Sequence, residues 1–230
     1  MAVSTTRKQL VNKVLRRLRE DELTSTQSIS DVPYAGTIAD FINDTLDEIQ
    51  DAWNWSQLRS VYSFTTVGGT QEYSIGDASN EKSEIIGMWN TTQDYEMQRM
   101  SDAWFNRHTL IGDQQNSSPS YYRVKGFEAD GNLKVELYPI PSGADVIKTW
   151  VYTPQADLTA DADILSLSFC ERALIYGSWA KAISERGEDG GKVYDEVVGK
   201  YQQYLATAIA RDKAHYSNTE SGSEGDWSIL

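Results

Sequence analysis

The segment Tyr138-Pro139-Ile140-Pro141-Ser142-Gly143 separates two runs of alternating apolar and polar residues. Residues 133–138 precede it and residues 146–152 follow it, and a period of two predicts a β-strand on each side. Proline cannot donate to a central β-ladder, so both prolines belong in the connection. Helical patterns occupy both ends of the chain. The sequence therefore predicts a β-domain inserted between helical segments.

Other alternating runs extend the predicted β-domain. Residues 61–66 and 71–75 flank Gly68-Gly69, which predicts a hairpin. Residues 84–89 and 95–100 predict a second hairpin. Asp130-Gly131 is a two-residue turn signal ahead of the strand at 133–138.

Apolar residues at helical spacing predict four long helices. The first covers residues 5–20, and residues 24–36 are predicted to be a loop. Thr37 is the predicted cap of the second helix. Residues 166–168 cap the third helix, and the fourth covers residues 191–215.

These patterns predict an α+β protein with a discontinuous helical bundle and an inserted antiparallel β-domain. The bundle comprises residues 1–57 and 156–216, and the β-domain comprises residues 58–155. Residues 217–230 are rich in Ser, Gly, Asn and Glu, so they are predicted to form an extended acidic tail.

Composition excludes several classes of function. The chain has 230 residues and a formal net charge of -13, which does not suit sequence-specific DNA binding because phosphate contacts need Lys and Arg. An acidic wall could instead line a channel through which DNA passes, although many cytoplasmic proteins are acidic for solubility. No apolar run is long enough to span a bilayer, and the N-terminus lacks a signal-peptide core. We therefore expect a cytoplasmic protein that does not enter a membrane.

Charge is unevenly distributed between the first two helices. The first is basic and the second is acidic, so the two could attract each other within one subunit or between neighbours. Each set could equally be a solvated face. The charged residues are Arg7, Lys8, Lys13, Arg16, Arg17 and Arg19 in the first helix, and Asp40, Asp44, Asp47, Glu48 and Asp51 in the second.

The sequence offers little catalytic chemistry. Cys170 is the only cysteine and falls on a predicted buried helix, which favours a core role over a reactive thiol. The two histidines, His108 and His215, are far apart and have no second ligand at metal-like spacing. Nucleophile, dinucleotide and phosphate-loop motifs are missing. We therefore predict no enzyme activity, no metal and no cofactor.

Small and aromatic residues mark predicted packing positions. Gly177 and Ala180 on the third helix allow another helix to approach closely. We assign inter-helix or inter-subunit packing to these two residues together with Tyr201 and Tyr204 on the fourth helix.

Tryptophans occur in three further groups of predicted packing or docking residues. Trp53 and Trp55 end the second helix, where they are predicted to form the junction with the β-domain. Trp89, Trp104 and Trp150 fit core or interface roles better than a sugar-stacking platform. In the tail, Trp227, Ile229 and Leu230 are apolar in a polar setting. We predict that these three dock on the portal or on a neighbouring subunit, the alternative being that the tail is disordered.

The order of these fragments resembles the head-to-tail adaptor proteins of tailed bacteriophages, of podovirus type and related phages, over residues 5–215. The resemblance is carried by residues 51–59 (DAWNWSQLR), 64–73 (FTTVGGTQEY), 119–122 (PSYY), 137–141 (LYPIP), Leu158-Thr159 and the closing helix pair.

The resemblance implies a structural protein rather than an enzyme. Members of that family form a ring, typically of twelve copies, beneath the portal protein. Their helices meet the portal, and their β-domain faces the tail nozzle or tail-tube protein. DNA leaves through the centre as non-specific cargo. The protein would then be found in the host cytoplasm during assembly and afterwards at the portal vertex of the virion, where the head joins the tail.

Two other classes of function stay open from the residues alone. A virion-associated cell-wall hydrolase would use a pair of carboxylates, which are abundant here but cannot be placed across a cleft. A carbohydrate-binding tail module would use the aromatic residues of the β-domain.

Overall fold

A computed structural model of the chain describes residues 5–75, 83–111, 115–129, 131–187 and 191–220. The protein is α+β, as predicted. Contacts between Cα atoms divide it into two compact units, a helical unit of Met1–Gln57 with Ala156–Leu230 and a β-unit of Leu58–Gln155. The α-helices in the described ranges are α1 (Arg7–Leu18), α2 (Pro33–Ala52), α3 (Asp102–Asn106), α4 (Glu171–Glu185) and α5 (Lys192–Glu220).

Capping residues explain where helix α1 begins and ends. The Thr6 hydroxyl accepts from the Gln9 backbone N–H, and the Gln9 side chain accepts from the Thr6 N–H, which forms a capping box. Arg19 closes the helix in the left-handed conformation, with a φ of 60°. The buried stripe consists of Leu10, Val11, Val14 and Leu15.

Helix α2 begins at Pro33 rather than at Thr37, so the prediction of a loop up to residue 36 was wrong. Proline is well tolerated at the first helical position because its missing N–H would have had no partner there. Gly36 and Thr37 lie within the first turns of the helix.

Helix α4 is the central helix of the helical unit, since it packs against α1, α2 and α5. Its buried residues therefore lie on several sides rather than on one stripe, and they include Ala173, Leu174, Gly177 and Ile183.

Helix α5 continues to Glu220, which differs from the predicted end at residue 215 and places 217–220, the first residues of the predicted tail, in a helix. Ser, Asn and Thr cost only about 0.5 kcal/mol each relative to Ala in a helix, and extending an existing helix is easy once it is nucleated. Residues 221–230 lie outside the described residues.

The β-unit contains two four-stranded sheets and a pair of short parallel strands. The strands are β1 (Arg59–Thr65), β2 (Glu72–Ile75), β3 (Glu84–Asn90), β4 (Tyr95–Glu96), β5 (Gln98–Arg99), β6 (Asn116–Ser117), β7 (Tyr121–Phe127), β8 (Leu133–Tyr138), β9 (Ile140–Pro141) and β10 (Val146–Tyr152). The sheet orders are β1-β10-β3-β4 and β2-β8-β7-β5, and β6 pairs with β9. Side chains from both larger sheets form one core, which includes Met88, Tyr122, Val135 and Ile147.

The predicted hairpin around Gly68-Gly69 was wrong, because β1 pairs with β10 and β2 pairs with β8. The chain instead passes from one sheet to the other, and the stretch at 139–145 makes the return passage. Hydrogen bonds join the two passages: the Gly69 N–H donates to the Pro141 carbonyl at 2.8 Å, and the Thr66 N–H donates to the Asp145 carbonyl at 2.8 Å.

The other two predicted turns agree better with the strand pairing in the structure. Strands β7 and β8 pair antiparallel around Gly131, as the Asp130-Gly131 signal predicted, although Asp130 itself is outside the described residues. Strands β3 and β4 also pair antiparallel, but only over two residue pairs. After Met97 the chain leaves that sheet, and β5 pairs with β7 in the other sheet.

Candidate assembly surfaces

A groove lies between α2 and α5, with α4 as its floor; we call it the acidic groove. Its volume is about 470 Å³. Small residues on α4 leave this space open, while larger side chains from α2 and α5 form its walls. The lining residues are Phe41, Glu48, Gly177, Ala180, Lys181, Ser184, Glu185, Tyr194, Val198 and Tyr201.

Gly177 sets the depth of this groove. A Cβ atom added at Gly177 would lie 2.5 Å from Cγ2 of Thr45 on α2 and 3.1 Å from Cε2 of Tyr201 on α5. Contacts under 3.0 Å force atoms to move, and Thr45 is fixed because its hydroxyl donates to the Phe41 carbonyl at 2.7 Å. The structure thus places Gly177 and Tyr201 in direct proximity, with α2 as the third partner.

The charges in the groove are mainly negative. Lys181 pairs with Glu48 at 2.8 Å and lies 3.9 Å from Asp44, and Glu185 is exposed on the groove wall. Burial, helped by the negative charge of Glu48, raises the pKa of Tyr201 to about 12. Tyr201 therefore remains a neutral phenol, and its hydroxyl lies 3.4 Å from the Glu48 carboxylate.

A second surface is formed by α4 and α5 together with Arg17 of α1; we call it the basic ridge. Tyr176 of α4 contacts Trp179, with ring centroids 5.7 Å apart, and Tyr204 of α5, with centroids 5.1 Å apart. Two guanidinium groups cover these rings: Arg17 lies 5.0 Å from the centre of Tyr176, and Arg172 lies 5.9 Å from that of Tyr204.

Of the four predicted packing residues, the structure therefore brings Gly177, Ala180 and Tyr201 together in the groove and places Tyr204 on the ridge. Tyr176 and Trp179 complete the ridge; from the sequence, Tyr176 was identified only as part of the closing helix pair, and Trp179 was not singled out. Their spacing of three on a helix was visible, but Arg17, which covers Tyr176, comes from a helix more than 150 residues earlier.

Trp53 follows the last residue of α2, and its indole N–H donates to the Asp212 carboxylate at 2.9 Å. Asp212, on α5, is only 1% exposed and also accepts from the backbone N–H and the hydroxyl of Ser56. Trp55 is fully buried and donates to the Ile49 carbonyl at 2.8 Å. Both tryptophans thus fix the end of α2 within the helical unit.

Asp212 could not be predicted from the sequence, because nothing in a polar helix end marks a buried acid. Burial, reinforced by the charge of Asp212, raises the pKa of Cys170 to about 12. The thiol is therefore an inert core group at neutral pH.

In the β-unit, Trp89 and Trp150 lie on one exposed sheet face, with ring centroids 5.6 Å apart in an edge-on arrangement. Gly87 makes this possible, since a Cβ atom there would meet the Trp89 ring at 2.5 Å. Trp150 is 44% exposed and its strand partner Val61 is 55% exposed, so this face presents an apolar patch.

Trp104 lies elsewhere, in an aromatic cluster of the same unit. It stacks on His108 with ring centroids 3.9 Å apart and contacts Tyr121 and Tyr138. The adjacent Arg123 pairs with Glu136 at 2.5 Å and lies over the Phe105 ring.

The described ranges contain no group of three or more His, Cys, Asp or Glu side chains arranged to hold a metal ion. Among the same residues, no helix has the length and apolarity needed to cross a membrane. Trp227, Ile229 and Leu230, the predicted docking residues of the tail, lie outside the described part of the chain.

The model of a family described as SU10 adaptor protein matches residues 5–223, which is nearly the whole chain. A search of curated proteins finds none that matches. The family match confirms the sequence-based identification of a phage adaptor, and it indicates a structural component of the virion.

Proposed function

We propose that this chain, which belongs to the SU10 adaptor protein family, forms a ring beneath the portal protein and joins the capsid to the tail. The ring has twelve copies and continues the channel through which DNA leaves the head. The observation that carries this proposal is the extent of the family match, which includes both the helical unit and the β-unit. The role is structural, without catalysis or a cofactor.

The two units supply different contacts in this proposal. The helical unit meets the portal and neighbouring copies, because it holds the acidic groove and the basic ridge. The β-unit meets the tail nozzle or tail-tube protein through the patch of Val61, Trp89 and Trp150, which is the kind of exposed apolar face that marks a protein interface.

The net charge of -13 suits a channel for DNA. Negative walls repel phosphate groups, so a moving duplex finds few sites at which to bind. DNA is therefore cargo in this proposal rather than a specific ligand. The adaptor collects in the host cytoplasm during assembly and then stays at the portal vertex of the virion.

The isolated chain should be a monomer or only loosely associated, and it should form its ring when a portal is present. A subunit that closed into a ring alone could block ordered assembly. Light scattering at micromolar concentration tests this directly: a stable closed ring without portal would contradict it.

The C-terminal segment is proposed to be a docking strap. Trp227, Ile229 and Leu230 would bury apolar surface on the portal or a neighbour, at about 25 cal/mol per Å² before ordering costs. One strap would be weak, but straps repeated around a ring would act together.

Because α5 extends to Glu220, the matching truncation removes residues 221–230. We expect an unchanged thermal transition and weaker loading onto portals. The full-length triple variant Trp227→Ser, Ile229→Ser and Leu230→Ser separates loss of apolar surface from loss of length. Truncated chains that load as tightly as the full chain would refute the strap.

A further inference from the structure

We infer that the acidic groove of one copy receives the basic ridge of a second copy. The inference rests on the proposed function in one respect, since it names the two surfaces that meet when copies assemble into a ring. The proposed occupant of the groove is the face formed by α1, α4 and α5 of a neighbouring chain.

The two surfaces flank the contact between α4 and α5. On α4, Gly177 and Lys181 face the groove, whereas Arg172 and Tyr176 belong to the ridge. At about 100° per residue, these two stripes are about 140° apart around the helix. On α5, Tyr201 contacts the groove side of α4 and Tyr204 contacts its ridge side.

The charges of the two surfaces are complementary. The groove contributes Asp44, Glu48 and Glu185 against the single Lys181. The ridge contributes Arg17 and Arg172, which lie over aromatic rings. Lys13 adds no net charge there because it pairs with Glu171 at 2.5 Å. Complementary potentials of this kind select the partner and the register of an interface.

The shapes of the two surfaces are complementary as well. The groove is concave because its floor consists of Gly177, Ala180 and Ser184. The ridge carries the large rings of Tyr176 and Trp179, which are only partly buried within one copy. Aromatic and Arg side chains are the groups enriched at interface centres, and a groove of about 470 Å³ has room for such side chains.

Two different patches on each copy make the contact heterologous, and a heterologous contact builds rings when its rotation closes. A groove that paired with the groove of a second copy would instead bring like charges together. The observed polarity therefore favours head-to-tail order around a ring.

Charge reversal on each side tests the inference. The groove variant carries Asp44→Lys and Glu48→Lys, and the ridge variant carries Arg17→Glu and Arg172→Glu. Each should raise the concentration needed for ring assembly on portals by about tenfold or more, because like charges then face each other. The chain with all four substitutions should recover assembly, since its reversed surfaces are complementary again.

Controls separate this effect from folding and from overall charge. Glu96→Lys with Asp157→Lys makes the same change in net charge as the groove variant, at exposed residues that belong to neither surface, and it should assemble like the native chain. Asp44→Asn with Glu48→Gln, a milder groove variant, should give an intermediate loss. Circular dichroism melts should show that all variants are folded.

A mixing experiment identifies the heterologous geometry. Equal amounts of the groove and ridge variants pair a native groove with a native ridge and a reversed groove with a reversed ridge, so the mixture should form rings on portals, and native mass spectrometry should find the two variants in equal numbers. Each variant alone should stay monomeric.

The outcomes distinguish the inference from the proposed function. If the native chain forms rings and both charge variants do so equally well, the interface is wrong and the ring stands. If truncation after Glu220 abolishes rings while the charge variants assemble, the C-terminal segment occupies the groove and the inference fails. A native chain that assembles neither alone nor with portals would overturn both.

Discussion

Replacing Gly177 by alanine has two opposing effects on the free energy of unfolding. Alanine favours a helix interior over glycine by about 0.8–1.0 kcal/mol. The added methyl group, however, would lie 2.5 Å from Cγ2 of Thr45 and 3.1 Å from the Tyr201 ring, so neighbouring atoms must move. Overpacking of this kind costs about 1–3 kcal/mol. We therefore expect Gly177→Ala to lower the free energy of unfolding by about 1 kcal/mol, and Gly177→Leu to lower it by about 1–3 kcal/mol.

Gly199 provides the matched control. It also lies inside a helix, but a Cβ atom there would have no neighbour within 4 Å. Gly199→Ala therefore gains the helical preference without a clash and should stabilise the protein by up to about 1 kcal/mol. Both substitutions replace glycine by alanine inside a helix, but their effects on the free energy of unfolding are expected to have opposite signs.

A double-mutant cycle isolates the contact with Thr45. Thr45→Ser removes Cγ2 but keeps the hydroxyl that donates to the Phe41 carbonyl. The alanine methyl then fills the vacated space, so the double variant should be more stable than the sum of the single effects by more than about 0.5 kcal/mol. Urea unfolding followed by circular dichroism measures all four species. Equal stabilisation by Gly177→Ala and Gly199→Ala would show that α2 and α5 do not approach α4 as described.

Three further outcomes follow from buried polar groups. Asp212→Ala leaves the Trp53 indole N–H without its acceptor, so we expect a loss of about 2 kcal/mol and a changed Trp53 fluorescence. Arg123→Met leaves the buried Glu136 carboxylate with only Lys125, at 4.0 Å, and should cost up to about 3 kcal/mol in urea unfolding, most of which a second change, Glu136→Gln, should restore. Cys170 should resist Ellman's reagent at about pH 8 in the folded protein, because burial first and Asp212 second raise its pKa to about 12. Since the fold favours the neutral thiol, the stability that this group contributes should fall as pH rises above about 9, and Cys170→Ala should show a smaller decline.

The helices could be read from sequence because their signals are local. The capping residues Thr6 and Gln9 and the apolar spacing after them define α1 without reference to the rest of the chain. The start of α2 was misplaced because Pro33 was interpreted as a break, although proline also suits the first turn of a helix. The end of α5 was misplaced because a polar composition does not by itself stop a helix.

Strand pairing was harder to predict because it depends on distant residues. Val61 pairs with Trp150, which is about ninety positions later in the chain. The glycines between residues 61–66 and 71–75 are compatible with a tight turn and also with a connection from one sheet to the other. Only the identity of the partner strands distinguishes these two possibilities. Topology of this kind has no local signal.

Several residues of the acidic groove could be predicted from the sequence, but the residues that contact them from other helices could not. Gly177 and Tyr201 were recognised as packing residues, whereas the involvement of Thr45 needed the packing of α2 on α4. Arg17 appeared as one basic residue among several in α1, and only the fold places it over Tyr176.

The proposed ring is tested most directly by cryo-electron microscopy of the chain mixed with the portal protein of the phage that encodes it. We expect a closed ring of twelve copies beneath each portal, with the helical unit against the portal and a continuous central channel. Portals without bound chain, or with single copies that form no ring, would contradict it.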